Sequence, residues 1–315
     1  MKKVMYIVPH LSTGGMPQYL LRTIELLVDT YDIYIVEYEK LSDHYVVQRN
    51  KIIDLLGDSF LSLDNDKEVL LSYIEQIQPD IIHLQEVPEL FMDDKIAEIV
   101  YDHSRRFMIF ETSHTVEFNP QKKRFYPDRF VMVSPYQVKQ YNIIDIPKEI
   151  VEYEVKEQVG EERPYPYIDI MRNCKHILVV GLFTPNKNQG YAFELARYLD
   201  KNIKDKIVFD FVGNYAKNFE DYWKPLFEDK PLNCFIHGEK DNVDDYYAHC
   251  DAVVFPSNIA ECNPLVVKEA LSWKKPLFLF NLEYYDNRFA NYDDVYFLTG
   301  EPVFDAINIR RVVLG

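Results

Sequence analysis

Short apolar runs of strand length alternate with amphipathic runs of helix length along most of the chain. In the first half, the runs at 3–9 and 80–84 are typical of buried strands, and the run at 15–30 has the spacing of a helix. The runs at 175–181 and 252–255 repeat the strand pattern in the second half. Strands that alternate with helices in this way predict parallel sheets with helices packed on them.

The alternation is interrupted at residues 147–172, where Glu and Pro are frequent and the periodicity is poor. Such a composition is typical of an exposed connector between domains. The sequence therefore predicts two Rossmann-like, doubly wound α/β domains at 1–146 and 173–300, followed by a C-terminal tail at 301–315. Doubly wound sheets bind ligands beyond the carboxyl ends of their strands, so a cleft between the two domains is the expected binding site.

Composition narrows the class of protein. The 315 residues, of which 47% are hydrophobic and 27% charged, are typical of a two-domain globular protein. No apolar run is long enough to span a bilayer, and the first one is too short for a signal peptide. The four cysteines lack C-x-x-C spacing, which favours free thiols in the cytoplasm.

The formal net charge of −16 argues against nucleic-acid binding. A local basic cluster is the exception, and two interpretations of it stay open. It is either ordinary solvated surface or a weak contact for an anionic acceptor or a lipid, which would place the protein at the periphery of a membrane. Its members are Arg105, Arg106, Lys122, Lys123 and Arg124.

The segment 251–280 has the most informative pattern. An apolar strand and a Pro-Ser-Asn turn precede an amphipathic run that starts near Pro264, and a second apolar strand follows. Proline suits the first turn of a helix, and helix N-terminal amides bind phosphate oxygens. Glu261 lies before this helix and Glu269 lies on its second turn, and both carboxylates suit hydroxyl groups. A nucleotide sugar, with hydroxyls on either side of a diphosphate, is the predicted ligand.

This order of elements resembles the E-x7-E signature of the retaining glycosyltransferases of family 4, which have the GT-B fold. The sequence here is ECNPLVVKEA from Glu261 to Ala270, with Asn-Pro in place of the usual Phe-Gly. The resemblance implies transfer of a sugar from a nucleotide-diphosphate sugar to an acceptor hydroxyl, with retention of the anomeric configuration. It implies no cofactor besides the donor, and it leaves the sugar and the acceptor (glycan, lipid-linked or other hydroxyl) open.

The resemblance also implies roles for individual residues. Glu269 is expected to hold the ribose, and Glu261 the transferred sugar. Amides at the start of the helix are expected to bind the departing diphosphate. The donor-binding residues implied there are Asn263, Pro264, Leu265 and Val266.

The loop at 180–188 resembles the V-G-R-x4-K-G loop of the same family, whose Arg and Lys hold the diphosphate. Gly181 and Lys187 match this pattern, whereas Leu182 replaces the arginine. Cation–phosphate contacts are strong, so loss of the arginine could abolish catalysis. One alternative is therefore a protein that binds a nucleotide sugar without transferring it. A GT-B sugar epimerase or phosphorylase-like enzyme is the other alternative, and a solvated helix-capping lysine is the other interpretation of Lys187.

Two further candidates come from the first half. Gly14 and Gly15 belong to the segment that follows the first strand and opens the first helix, where paired glycines allow a ligand to approach the backbone. A plain strand–helix turn is the alternative, but the family has a Gly-Gly loop here beside the sugar and the acceptor. His114 follows the strand at 107–111. A lone histidine is often structural, yet many family members have a histidine here that contacts the donor sugar.

Asp64-Asn65-Asp66 is a D-x-D sequence, which binds a metal–diphosphate complex in the other large glycosyltransferase fold. Here it immediately precedes a helical run, where aspartate is a favoured N-cap residue. The N-cap interpretation is preferred, so no catalytic metal is predicted.

Overall fold

The structure is a computed structural model. It describes residues 1–12, 14–41, 47–151, 158, 162–168, 171–200, 206–259, 261 and 263–315. The chain divides into two compact units, Met1–Tyr153 and Glu154–Gly315. This division falls inside the stretch 147–172 that the sequence predicts as a connector.

The first unit is an α/β domain with one parallel sheet. Within its described residues, the strand order is β3-β2-β1-β4-β5-β6-β7, so the chain reverses its direction of winding between β1 and β4. Every strand pairs in parallel with its neighbours. The elements are β1 (Lys3–Val8), α1 (Gly15–Leu27), β2 (Asp32–Glu37), α2 (Val47–Leu56), β3 (Phe60–Ser62), α3 (Val69–Ile77), β4 (Ile81–Leu84), α4 (Asp94–Val100), β5 (Met108–Glu111), β6 (Arg129–Met132), α5 (Pro135–Gln140) and β7 (Lys148–Ile150).

The second unit has the same architecture. Its described residues form a parallel sheet with the order β10-β9-β8-β11-β12-β13. The winding reverses between β8 and β11. The elements are β8 (Lys175–Val180), α6 (Gln189–Asp200), β9 (Ile207–Val212), α7 (Glu220–Glu228), β10 (Cys234–Gly238), α8 (Val243–His249), β11 (Ala252–Phe255), α9 (Leu265–Ser272), β12 (Leu277–Leu279), β13 (Val295–Phe297) and α10 (Pro302–Leu314).

Each sheet is buried on both faces, which explains the continuous apolar runs in the sequence. In β1, Met5 and Ile7 belong to one apolar cluster, and Val4, Tyr6 and Val8 belong to another. Side chains alternate between the two faces of a strand, so the two clusters cover opposite faces of the sheet. The second sheet likewise has one apolar cluster on each face.

A strand and a helix occupy stretches that were predicted to be a connector and a C-terminal tail. Strand β7, at the start of the predicted connector, is the edge strand of the first sheet. Helix α10 covers most of the predicted tail at 301–315, and Ala306, Ile309 and Val313 pack into a core of the second unit. Proline at its first position has no N–H to lose and favours this helix start.

The carboxyl edge of the second sheet includes a close backbone contact. Gly213 follows β9 with φ of 155°, and a Cβ atom there would lie 2.0 Å from the carbonyl oxygen of Gly181, which follows β8. Gly181 has φ of 147°. Only glycine readily adopts these conformations, and only glycine leaves room for the contact. The loops after β8 and β9 are therefore packed backbone against backbone.

No helix in the described part of the chain is long and apolar enough to cross a membrane. Cys174, Cys234 and Cys250 are free thiols. Cys262 lies outside the described residues.

Candidate functional site

The loops after β8 and β11 approach each other at the carboxyl edge of the second sheet. Glu261, between β11 and α9, forms an ion pair with Lys187, between β8 and α6. Their side chains are 14% and 29% exposed, respectively. Lys187 is therefore a partly buried, paired cation rather than a solvated helix-capping residue. The structure brings these two predicted site residues together.

The fully buried Ser257 connects the same two loops. Its Oγ lies 3.1 Å from Glu261 Oε1 and 2.9 Å from the carbonyl oxygen of Asn186. Asn188 Nδ2 donates to the carbonyl oxygen of Pro256 at 3.2 Å. The carboxylate of Glu261 is thus held in place by neighbours on both loops.

Helix α9 begins one residue later than the sequence analysis expects. Pro264 is its N-cap, in an extended conformation, and Leu265 is its first residue. Because proline has no N–H, the expectation of amide donors at 264–266 is corrected. The amides that an α-helix leaves without intrahelical acceptors are here those of Leu265, Val266 and Val267. Asn263, just before the helix, has a buried Oδ1 with no hydrogen-bond partner among the described residues.

Glu269 lies on the second turn of α9. Its Oε2 accepts a hydrogen bond of 3.1 Å from the hydroxyl of Tyr247, which is fully buried on α8. Burial, together with the nearby carboxylate of Glu269, raises the pKa of Tyr247 well above its usual range. The hydroxyl therefore stays protonated and donates to Glu269, which orients this partly buried carboxylate.

In the first unit, Gly14 is the N-cap of α1 and Gly15 is the first residue of that helix. Gly14 has φ of 162°, an extended conformation open to any residue. A Cβ atom at Gly14 would make only an ordinary contact of 3.7 Å, and one at Gly15 would meet nothing within 4 Å. The backbone conformation at Gly14 therefore does not require glycine. Within this unit, a larger side chain would also fit at both positions.

His114 follows β5, at the carboxyl edge of the first sheet. Its Nε2 lies 3.0 Å from Gln85 Oε1, and its backbone N–H donates to Glu86 Oε2 at 3.1 Å. Its ring contacts Tyr19 edge-on, with 5.2 Å between ring centroids. Burial lowers the pKa of His114 to about 4, so the ring is neutral at pH 7.

Three further polar residues at these edges were missed by the sequence analysis. Gln85 and Glu86 directly follow β4, and Asn214 follows β9. Both side-chain polar atoms of the fully buried Asn214 lack hydrogen-bond partners in the described ranges. Their position in the sequence could have identified them as candidates, since each lies within two residues of the carboxyl end of a strand.

The basic cluster of the sequence analysis is largely neutralised. Lys123 is buried between two carboxylates, and Arg105 and Arg124 each pair with an aspartate, whereas Arg106 and Lys122 are exposed. A contact with an anionic surface has no support from this arrangement. The pairs are Lys123–Glu89 at 2.8 Å, Lys123–Glu111 at 2.9 Å, Arg105–Asp128 at 2.8 Å and Arg124–Asp94 at 2.6 Å.

The D-x-D sequence lies in the turn before α3. Asp66 Oδ1 accepts from the backbone N–H of Glu68 at 3.0 Å, whereas α3 itself begins at Val69. Asp66 thus caps the preceding turn and not the helix, which corrects the predicted N-cap position. Among the described residues, no group of three or more His, Cys, Asp or Glu side chains is arranged to hold a metal ion.

Comparison with known structures establishes the fold. The structure of HepE from Anabaena in complex with UDP-glucose is similar, with a TM-score of 0.75 and 13% identity over 100% of this chain and 90% of that chain. Sucrose-phosphate synthase from Thermosynechococcus elongatus has a TM-score of 0.68 and 13% identity over 100% and 90%. A glycosyltransferase from Rickettsia africae has a TM-score of 0.72 and 14% identity over 100% and 89%. The chain has the GT-B type of fold, with two Rossmann-like domains, and this prediction is confirmed.

Residues 170–301 match the family model of group 1 glycosyl transferases. A search of curated protein sequences finds no match. The matched region includes the loop of Lys187 and both Glu261 and Glu269. The family match and the fold together support a GT-B glycosyltransferase.

Proposed function

We propose that this protein transfers a sugar from a nucleotide-diphosphate sugar to a hydroxyl of an acceptor, with retention of the anomeric configuration. The observation that carries the proposal is the ion pair of Lys187 and Glu261, which lies just before α9 in the region that matches the family model. A cation, a helix N-terminus and two carboxylates suit a diphosphate flanked by hydroxyl-bearing groups. The UDP-glucose in the similar HepE structure supports a nucleotide sugar as the donor.

In the proposed mechanism, the diphosphate binds to the first amides of α9 and to Lys187. Lys187 then exchanges its partner, from Glu261 to a phosphate oxygen. The positive charge and the amide dipoles stabilise the negative charge that develops on the leaving diphosphate. The exchange also releases Glu261, whose carboxylate accepts hydrogen bonds from the transferred sugar.

Glu269 binds the ribose of the donor. A carboxylate accepts up to about four hydrogen bonds, so the bond from Tyr247 leaves capacity for ribose hydroxyls. Tyr247 orients the carboxylate before the ligand arrives, which lowers the entropy cost of binding.

The proposed reaction needs neither a protein base nor a metal ion. A leaving phosphate oxygen takes the proton of the acceptor hydroxyl on the face from which the diphosphate departs. The protein supplies orientation and electrostatic stabilisation. His114 and the loop of Gly14 and Gly15 are proposed to contact the sugar or the acceptor.

The first experiment is a panel of UDP-glucose, UDP-galactose, UDP-N-acetylglucosamine and GDP-mannose. A donor that binds the folded protein raises its melting temperature, and catalysis releases the free nucleotide. NMR of the product then gives the anomeric configuration. The proposal fails if no nucleotide sugar stabilises the protein and none is consumed with mixed saccharide and lipid-linked acceptors.

A second candidate function is nucleotide-sugar binding without catalysis. It is favoured by Leu182, whose apolar side chain replaces the phosphate-binding arginine of the family. The carbonyl oxygen of Leu182 accepts a hydrogen bond of 2.8 Å from Gln189 Nε2. Stabilisation by one nucleotide sugar, without turnover of that sugar in the presence of acceptors, would favour this function. An epimerase would instead convert the donor into an isomeric nucleotide sugar.

A further inference from the structure

Helix α10 has an apolar face that is exposed to solvent, opposite the face that packs into a core of the second unit. Four large apolar side chains on it are between 40% and 68% exposed, namely Val303, Phe304, Ile307 and Leu314. Measured from Ile307, the others lie three and four residues before it and seven after it, so all four share one side of the helix. Scattered apolar residues are common on protein surfaces, whereas a contiguous group marks an interaction site.

The two ends of this face carry opposite charges. Glu301 is the N-cap residue of α10 and Arg311 lies in its last turn, and both are exposed. Arg311 Nη2 donates to Asn308 Oδ1 at 2.7 Å. A guanidinium has five N–H donors, so Arg311 can bind a carboxylate as well. The face is therefore apolar in the middle, acidic at one end and basic at the other.

We propose that this face binds the same face of a second copy of the chain, with the two α10 helices antiparallel. An interface with two-fold symmetry brings the same surface of both copies together, so the surface must be complementary to itself. An antiparallel pair meets this requirement, because the acidic end of each helix then lies beside the basic end of the other. The proposal is independent of the proposed function.

The length of the helix fits this arrangement. If Ile307 packs against Ile307 of the second copy, Arg311 lies opposite Val303 of that copy. Glu301 of the second copy is then two residues, or about 3 Å, further along the axis. The long side chain of Arg311 spans this distance, and the symmetry repeats the charge pair at the other end. The apolar contact is thus closed by an ion pair on each side.

An anionic membrane is the other partner that an apolar helix face with a basic residue resembles. The charges of this chain favour the second copy. A membrane of negative charge would repel Glu301 at one end of the face, and the formal net charge of −16 would add to this repulsion. Within the antiparallel pair, by contrast, each Glu301 meets an arginine.

The size of the face determines the expected affinity. A helix of 13 residues is about 20 Å long and 10 Å wide. This contact is smaller than the roughly 800 Å² that each partner contributes to a stable interface. The net charge of the two copies also opposes their association. We therefore expect a weak dimer, with a Kd on the order of 100 µM.

Sedimentation equilibrium of the full chain, at concentrations from well below to well above this Kd, tests the association. The wild type should change from monomer to dimer, and Ile307→Asp should raise the Kd at least about tenfold, because it places a charge at the centre of the contact. Ile143→Asp is the matched control, since Ile143 is 61% exposed and Ile307 is 60% exposed. A wild type that stays monomeric, or an Ile307→Asp variant that dimerises like the wild type, would overturn the proposal.

Exchange of the charges tests the antiparallel arrangement. Arg311→Glu and Glu301→Arg should each raise the Kd by about two- to tenfold, because each substitution acts twice in a symmetric dimer. The double variant reverses both ion pairs and should restore the wild-type Kd. Melting temperatures show that the variants are folded. A double variant that dimerises as weakly as the two single variants would overturn this arrangement.

Vesicles of phosphatidylserine and phosphatidylcholine test the other partner. The protein should stay in the supernatant when these vesicles are sedimented. Binding of the wild type to the vesicles, with loss of binding in Ile307→Asp and not in Ile143→Asp, would assign the face to a membrane and overturn the proposal.

Discussion

Replacement of Glu269 tests the proposed donor site and separates its contribution to binding from its contribution to stability. Glu269→Ala removes the acceptor of the Tyr247 hydroxyl, a bond of 3.1 Å from a fully buried side chain. A buried donor left without a partner costs about 1–3 kcal/mol. For a domain of this size, each kcal/mol lowers the melting temperature by roughly 2–4 °C.

The same substitution should weaken nucleotide binding if Glu269 holds the ribose. Loss of a hydrogen bond to a charged group is expected to cost about 1.5–3 kcal/mol, or roughly ten- to a hundredfold in Kd. Because the ribose is common to both ligands, the loss should be equal for UDP and UDP-glucose, as measured by calorimetry. Tyr247→Phe is the matched control, since it removes the same hydrogen bond but keeps the carboxylate. It should lower the melting temperature and change the nucleotide affinity by no more than a few-fold.

Glu261→Ala should affect turnover and not the binding of UDP, in contrast to Glu269→Ala. It removes the partner of Lys187 and the proposed partner of the sugar, so turnover should fall while the affinity for UDP is kept or increased. Equal loss of UDP affinity in folded Glu261→Ala and Glu269→Ala would refute the division of roles. Wild-type binding and turnover in both variants would refute the proposed donor site at these two carboxylates.

Three other substitutions test the loops. Gly213→Ala should destabilise the second unit by at least about 1–3 kcal/mol, because its Cβ would lie 2.0 Å from the Gly181 carbonyl oxygen; thermal unfolding checks this, and an unchanged transition would contradict it. Gly15→Ala should leave the melting temperature unchanged or raise it, since alanine favours a helix over glycine by up to about 1 kcal/mol, yet it should slow turnover if a ligand approaches this backbone. Asp64→Asn with Asp66→Asn should keep both stability and turnover, and activity lost in EDTA and restored by Mn²⁺ would contradict metal independence.

The alternation of strands and helices was predictable because the central strands are buried on both faces. The apolar run at 252–255 coincides with β11, and the runs at 3–9 and 175–181 contain β1 and β8. In such strands, the sequence signal is a continuous stretch of apolar residues, and its limits are set by the polar residues of the loops.

Elements with few buried residues were not predictable in this way. Strand β7 has three residues, of which Glu149 and Ile150 are exposed, so it presents no apolar pattern. Its strand conformation depends on pairing with β6.

Helix α10 is a different case, because Ala306, Ile309 and Val313 have the spacing of a buried helix face. The segment is short, however, and its apolar face indicates a packed helix only when the neighbouring helix α6 is known.

The polar side chains were harder to predict because their roles depend on partners that are distant in the sequence. Lys123 belongs to a run of basic residues, yet it is buried between Glu89 and Glu111. Nothing in the local sequence indicates this pairing. Glu86 likewise has no motif, and its raised pKa results from burial at the end of β4. A run of basic residues in the sequence therefore does not predict a positive surface where carboxylates from distant parts of the chain pair with those residues.

Two features of the loop between β8 and α6 have a common consequence in the proposed mechanism. Leu182 supplies no cation to the diphosphate, and the charge of Lys187 is already balanced by Glu261 before a ligand binds. A diphosphate must therefore displace Glu261 to gain Lys187, so phosphate binding and release of the sugar-binding carboxylate become one event. Free phosphate would gain little from this exchange, because it brings no hydroxyls to occupy the released Glu261. A complete nucleotide sugar satisfies both groups, and selectivity for it follows from the ion pair that it replaces.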